Sequence, residues 1–563
     1  MASISKRFPP MSRRIRGALP HPTPLALGAM AVALLAITPL LSLLWLAADG
    51  GVQHWRDLWR YVLPQAALNT LLLLVGVALL AGAIGVGCAW AVSAFQFPGR
   101  RLLSWGLLLP LAMPTYIVAF SWLDLLHPIG PLQSALRLLL GYDSPRQFRL
   151  PDIRGVAGAI VLFSLVLYPY IYLTMRAMFI SQPAHLLEAA RTLGENGRGT
   201  FLRVVLPMAR PALAVGISLA LLETLNDLGA SEFLGVQTLT VAVYTTWITR
   251  SDIAAAAQIA CMMLGFIFLL LTLELYGRRR QRYAGRGLRT LQPQPLRGLR
   301  AWLLSAATAL PLLLGFIIPL LHLIWQSLKR LDSQTLLSAE LLAALRNTLL
   351  LSLGVTLLAV AISLALSWYA RIRALAPPTP PLRRITLRLA SLGYAVPGTI
   401  LAIGFMPPAL RADAWLATAL EIRGLPLFSC GLLLILCCTL RFQTITLGAL
   451  DAGLARIAPS LEQAARSLGE REGATFWRVH LPLLRPALIG SALLVFADVM
   501  KELPITLLLR PVNVETLATL LYAEAARGTY EDGAIAALLI VLAGTLPMTL
   551  LVRNQLKHAG ESR

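Results

Sequence analysis

Six polar residues interrupt two otherwise apolar stretches at matching positions. Glu223, Asn226 and Asp227 stand in one; Asp498, Lys501 and Glu502 stand in the other, each displaced by 275 residues. Spacings of three and four residues put such groups on one face of a helix. A charge at the centre of a bilayer costs about 2.5–3.5 kcal/mol on insertion scales, so it faces a partner or a cavity rather than lipid. Two readings follow. The six border a central pathway or gate, helped by Pro504, which interrupts the helix nearby. Alternatively they form an ion-pair and hydrogen-bond cluster that only fixes helix packing, with Lys501 neutralising Asp498 or Glu502. Glu223, Asp227 and Glu502 are hard oxygen donors that suit a hard cation in passage. A tight site would hinder release, however, and no Tyr or His cluster accompanies them in the sequence, so no resident metal is expected. The run Tyr168, Tyr170 and Tyr172 reads as interfacial aromatic packing.

Other chemistry is sparse. The five cysteines (Cys88, Cys261, Cys430, Cys437, Cys438) lie in apolar runs without the spacing of a metal or redox site, and read as small buried hydrophobes. The seven histidines are scattered. Lys6, Lys329, Lys501 and Lys557 are the four lysines, and none is followed by Ser or Thr, so the chain has no Gly-Lys-Ser/Thr phosphate loop. No catalytic residue is assigned and no cofactor is expected on this chain. If ATP and Mg drive the protein, they sit on a separate ATPase.

These groups must be positioned by a membrane scaffold. Of 563 residues, 57% are hydrophobic and 13% charged, against about a quarter charged in soluble domains. The formal charge of +22 is nearly all Arg in short loops between apolar runs, which argues for a lipid bilayer and against nucleic acid. Windows of about 20 apolar residues occur near 25–48, 67–94, 102–124, 156–180, 211–235, 254–276, 300–326, 346–370, 386–410, 425–446, 486–509 and 533–553. The expected fold is an all-α polytopic membrane protein with about twelve spans. The first window follows a basic N-terminus and is too long for a cleaved signal, so it reads as an uncleaved anchor. With both termini cytoplasmic, the inner loops hold more than twice the Arg and Lys of the outer ones, as the positive-inside rule requires. The outer loops are short, the longest near 124–155, so tight capture of a ligand falls to a separate protein.

The chain repeats itself. Residues 188–213, EAARTLGENGRGTFLRVVLPMARPAL, match 463–488, QAARSLGEREGATFWRVHLPLLRPAL, at 16 of 26 positions. Asn69-Thr70-Leu71-Leu72 pairs with Asn347-Thr348-Leu349-Leu350, and MPTYIVAF (113–120) with VPGTILAI (396–403). The boundaries that result are a cytoplasmic tail 1–24, a first domain 25–276, an Arg-rich linker 277–299, a second domain 300–553 and a tail 554–563. Six spans per half, an even number, give parallel repeats with a pathway at their interface. The repeated loops fall at 181–210 and 448–485, on the inner side. In each, a helical segment meets Gly194 or Gly469, which supplies a left-handed stop, and a second helical piece runs to Leu206-Pro207 or Leu481-Pro482. The result is a rigid knob. Ala189-Ala190 and Ala464-Ala465 allow a partner's close approach, and Arg191, Arg203, Arg466 and Arg478 can fix its register by charge-assisted hydrogen bonds. The alternative is an amphipathic interfacial hairpin.

The pattern Glu-Ala-Ala-x3-Gly followed by Leu-Pro resembles the "EAA" loop of the inner-membrane permeases of binding-protein-dependent ABC importers, and does so twice over essentially the whole chain. The resemblance implies two copies of a cytoplasmic ATPase docked on the loops, and a periplasmic solute-binding protein. It also implies a bacterial inner-membrane location. The segments ETLNDLGASEFLGVQTLTVAVYTTW (223–247) and KELPITLLLRPVNVETLATLLY (501–522) are similar to the fused two-domain permeases for ferric iron, although fused permeases for thiamine and phosphonates share much of them. One position departs from the pattern: Glu188 of the first copy is Gln463 in the second, with Glu462 just before it, so the two docking sites are expected to be unequal. An ion-coupled secondary transporter remains the rival from another class.

Overall fold

The computed structural model describes residues 24–182, 188–190, 192–278, 293–329, 338–374, 381–391, 393, 396–421 and 424–561. Among them nine helices are long and apolar enough to cross a membrane, or up to eleven if each of two bent pairs is one span. The twelfth window lies in the helix Tyr530–Glu561, which also takes in most of the expected C-terminal tail. Most of the linker and of the N-terminal tail lies outside the described residues.

The windows at the third and fifth place in each half are not continuous helices, and here the sequence reading needs correction. In the first half Arg100–Ala112 meets Thr115–Leu125 at 93°. Pro114 forces its predecessor out of the helical region, and Met113 is extended (φ −105°, ψ 118°). The same Pro stands before Gly398–Ala419 in the second half, whose window starts in a separate helix, Pro381–Ala390. The fifth window of each half breaks at its polar residues: Arg210–Asn226 is followed by the short helix Gly229–Phe233, and Leu481–Met500 by Pro504–Leu509.

The halves are interlocked. The first described helix, Pro24–Asp49, packs on Ala339–Ala374, Pro381–Ala390 and Gly398–Ala419 of the second half; Leu299–Lys329, which opens the second half, packs on Leu63–Ala94, Thr115–Leu125 and Val156–Ser181 of the first. Across this second contact, Asp124 accepts from His322 Nε2 at 2.8 Å and Gln326 Nε2 at 2.7 Å. A two-residue parallel strand pair, Phe95–Gln96 with Gln294–Pro295, ties the end of the linker to the first half.

The repeated Asn-Thr pairs have a shared structural task. Asn69 Nδ2 donates to the Gln237 carbonyl (3.1 Å) and Thr70 Oγ1 accepts from Leu239 N (2.9 Å), which anchors the start of the helix Leu239–Ile248. Asn347 and Thr348 do the same for Glu515 and Leu517, at 2.9 and 2.8 Å, ahead of Leu517–Arg527.

Candidate functional site

The two loops form matching knobs. Gly194 and Gly469 have φ of +88° and +83°, the left-handed conformation that glycine adopts without the Cβ clash of other residues. Glu195 N bonds the Ala190 carbonyl and Glu470 N the Ala465 carbonyl, each at about 3.0–3.1 Å, which closes the helix end in a Schellman arrangement. Beside each glycine a leucine is bare: Leu193 is 85% exposed and Leu468 84%. An apolar side chain so exposed at the tip of a rigid knob is suited to a partner's groove. Each Ala pair divides its labour, with Ala189 and Ala464 outward and Ala190 and Ala465 buried. Glu188, Gln463 and Arg466 face solvent; Arg191 lies outside the described residues. Arg203 and Arg478 are not simple partner contacts, because they bridge the two arms of their own knobs to Glu195 (2.7 Å) and Glu470 (2.5 Å) while staying exposed.

Each knob is seated on the core. Phe201 packs on Trp90 with ring centroids 4.9 Å apart, and Phe476 packs on Trp368 at 4.8 Å. Both second arms wind through a π-helical turn, Phe201–Val205 and Phe476–His480. Leu206-Pro207 and Leu481-Pro482 follow at once, the prolines offering no amide hydrogen to the carbonyls of Arg203 and Arg478. From there the helices Arg210–Asn226 and Leu481–Met500 run inward, a rise of roughly 25–30 Å at 1.5 Å per residue.

At their far ends all six polar residues line one cavity of about 130 Å³ between the halves, with Thr115, Tyr116 and Arg441. Glu223 lies on the helix, but Asp227 does not share its face: Asp227 caps the helix end in an extended conformation (φ −77°, ψ 123°). Its Oδ1 accepts from Ala230 N (2.9 Å) and Ser231 N (3.2 Å), and its Oδ2 from the Thr115 hydroxyl. Glu502, likewise past its helix, accepts from Ile505 N (3.0 Å) and Thr506 N (3.1 Å). Each carboxylate thus starts the short helix after its own break, an arrangement that satisfies orphan amides and the positive helix end. Asp498 pairs with Lys501 at 2.8 Å. Lys501 also reaches the Leu111 carbonyl (3.3 Å), Tyr116 donates to the Lys501 carbonyl (3.3 Å), and Asn226 accepts from Gly398 N (3.0 Å). These bonds join the halves at the four helix breaks.

Arg441 is the residue the sequence reading passed over. It is buried and donates to Glu502 at 2.9 Å. The rule that singled out the other charges, an ionisable group inside an apolar window, applies to it equally. Among the described residues no group of three His, Cys, Asp or Glu is placed to hold a metal.

Residues 81–283 and 374–558 match the family described as the binding-protein-dependent transport system inner membrane component. The chain is 25% identical over 529 residues, 92% of its length and 96% of the relative's, to the Fe(3+)-transport system permease protein FbpB 2 of Haemophilus influenzae. It is 28% identical to the sulfate transport system permease protein CysT of Escherichia coli, across 44% of this chain and 90% of that one. The two matched blocks cover more than half the sequence and one falls in each structural repeat, so the chain belongs to this family of ABC importer permeases and carries its membrane domain twice.

Proposed function

We propose that this chain is the membrane-spanning permease of an ATP-driven importer of ferric iron. The observation that supports the substrate is the cavity between the halves. Four carboxylates (Glu223, Asp227, Asp498, Glu502) against two cations (Arg441, Lys501) leave it formally negative, which attracts a cation and repels sulfate or a phosphonate. Its volume of about 130 Å³ falls below the roughly 300–1,000 Å³ of sites for drug-sized ligands and suits a metal ion with part of its hydration shell.

In this reading a periplasmic binding protein delivers iron to the outer side, and two copies of a cytoplasmic ATPase, which hold ATP and Mg, grip the knobs at Gly194 and Gly469. Closure of the ATPases moves the knobs, and the Arg210–Asn226 and Leu481–Met500 helices carry the motion to the cavity. Relative movement of the parallel halves then exposes the cavity to each side in turn, with both termini in the cytoplasm. The test is uptake of radiolabelled ferric iron by cells lacking the gene, restored with the ATPase, the binding protein and either the wild-type chain or Gly469→Arg. Uptake with the wild type alone supports substrate and coupling together. An inserted wild type that restores none moves the substrate to thiamine or a phosphonate, and uptake that persists without the ATPase indicates a secondary transporter.

A further inference from the structure

On the side of the cavity away from the knobs, two tyrosines at equivalent places in the two halves meet. Tyr244 lies six residues after Thr238 and Tyr522 six after Thr516, and both threonines cap the helices that Asn69-Thr70 and Asn347-Thr348 anchor. Their rings are 6.3 Å apart, edge to face, and their phenols interact. Tyr522 also donates to Glu232 Oε2 at 2.6 Å, and Phe233 stacks on its ring at 5.7 Å. Glu232 sits on Gly229–Phe233, one turn from Gly229, which lines the cavity.

We propose that Glu232, Tyr244 and Tyr522 form an outer receiving site for ferric iron, one step before the cavity. This rests on the reading of the chain as an iron permease. One carboxylate and two phenolates are hard oxygen ligands for a hard trivalent ion, and their three negative charges match its charge. On binding, each phenol loses its proton to water, the iron stays ferric, and the carrier ligands that held it leave. Glu232 and Tyr244 belong to the first half and Tyr522 to the second, so the donor set is complete only while the halves hold this arrangement. Their relative movement separates the donors and releases the ion toward Gly229 and the acidic cavity, which removes the objection that a strong site would trap its cargo.

The test is titration of the purified full chain with ferric nitrilotriacetate, read by the visible absorbance of charge transfer from tyrosinate to iron. The wild type should show the band, Tyr522→Phe should weaken iron binding at least about tenfold, and the Tyr244→Phe, Tyr522→Phe double variant should abolish the band. Both keep the rings, and an unchanged thermal unfolding midpoint checks that the fold is intact. In cells supplied with the ATPase and binding protein, the double variant should lose most iron uptake. A band that survives in the double variant, or wild-type iron uptake with no band and no loss in the variant, overturns the site and leaves the iron reading standing. A wild type that transports no iron overturns both.

Discussion

At the scale of single residues, the Arg441–Glu502 pair decides the packing of the second half around the cavity. Glu502 is 5% exposed and Arg441 8%; removing one member of so buried a pair leaves an uncompensated charge, at a cost of about 3–5 kcal/mol. Arg441→Ala should therefore lower the thermal unfolding midpoint markedly. The combined Arg441→Met, Glu502→Gln variant should recover part of the loss, since no charge is left unpaired and the amide oxygen still accepts from one of the two backbone amides, Ile505 N or Thr506 N, that Glu502 holds with its two oxygens. A double variant no better than the single would show that the charge itself is not what the buried pair supplies. Gly398 belongs to the same contact. A Cβ there would stand 2.5 Å from Arg441 Nη1 and 2.7 Å from Ile505 Cγ1, so Gly398→Ala should displace the pair and reduce transport, measured as uptake at equal membrane levels of the two proteins.

At the scale of elements, the polar residues mark where helices stop. The sequence shows that the polar positions Glu223, Asn226 and Asp227 have polar counterparts in the second half, and that Pro114 has one in Pro397, because both are read from residue types in matching stretches. It does not show that the third and fifth windows of each half break, since apolar periodicity runs through a break whose amides are satisfied by distant side chains. Nor does it bring Tyr244 to Tyr522: six spans separate them in the chain, and only the packing of the two halves makes them neighbours. The Asn-Thr repeat was visible as a pattern but its role was not, because the acceptors on Gln237 and Glu515 are backbone carbonyls. That role is open to test. Thr70→Val deletes the acceptor for Leu239 N and should cost about 1 kcal/mol, which corresponds to roughly fivefold faster amide exchange. The acceleration should be confined to the segment around 237–248, while Thr348→Val acts on 515–527. Exchange that rises evenly across the protein would contradict a local anchoring role.

At the scale of the whole molecule, the interlock and the knobs pull in different directions. The exchanged first helices bind the halves whether or not the linker joins them, so residues 1–286 and 287–563 expressed as separate chains should co-purify; halves that purify apart would contradict the interlock. The knobs, in contrast, are unequal. Gln463 occupies the exposed position of Glu188, and Glu462 cannot replace the missing charge because it is turned inward, bonded to Arg371 at 2.6 Å and His480 at 2.9 Å. Val205, the counterpart of His480, is fully buried without such a network. If a carboxylate on the knob contacts the ATPase, Glu188→Gln should weaken docking at the first knob by no more than about fivefold, since an exposed ion pair is worth roughly 0.2–1 kcal/mol, and Gln463→Glu should strengthen docking at the second by a similar factor. Glu462→Ala should leave docking near its wild-type strength once the protein is folded, and instead lower the unfolding midpoint, because it strips the half-buried Arg371 and the buried His480 of their shared partner. Binding of the ATPase to the three variants in nanodiscs separates these effects, and a loss in Glu462→Ala at matched fold with none in Glu188→Gln would show that the inward carboxylate, not the outward one, sets the fit of the knob.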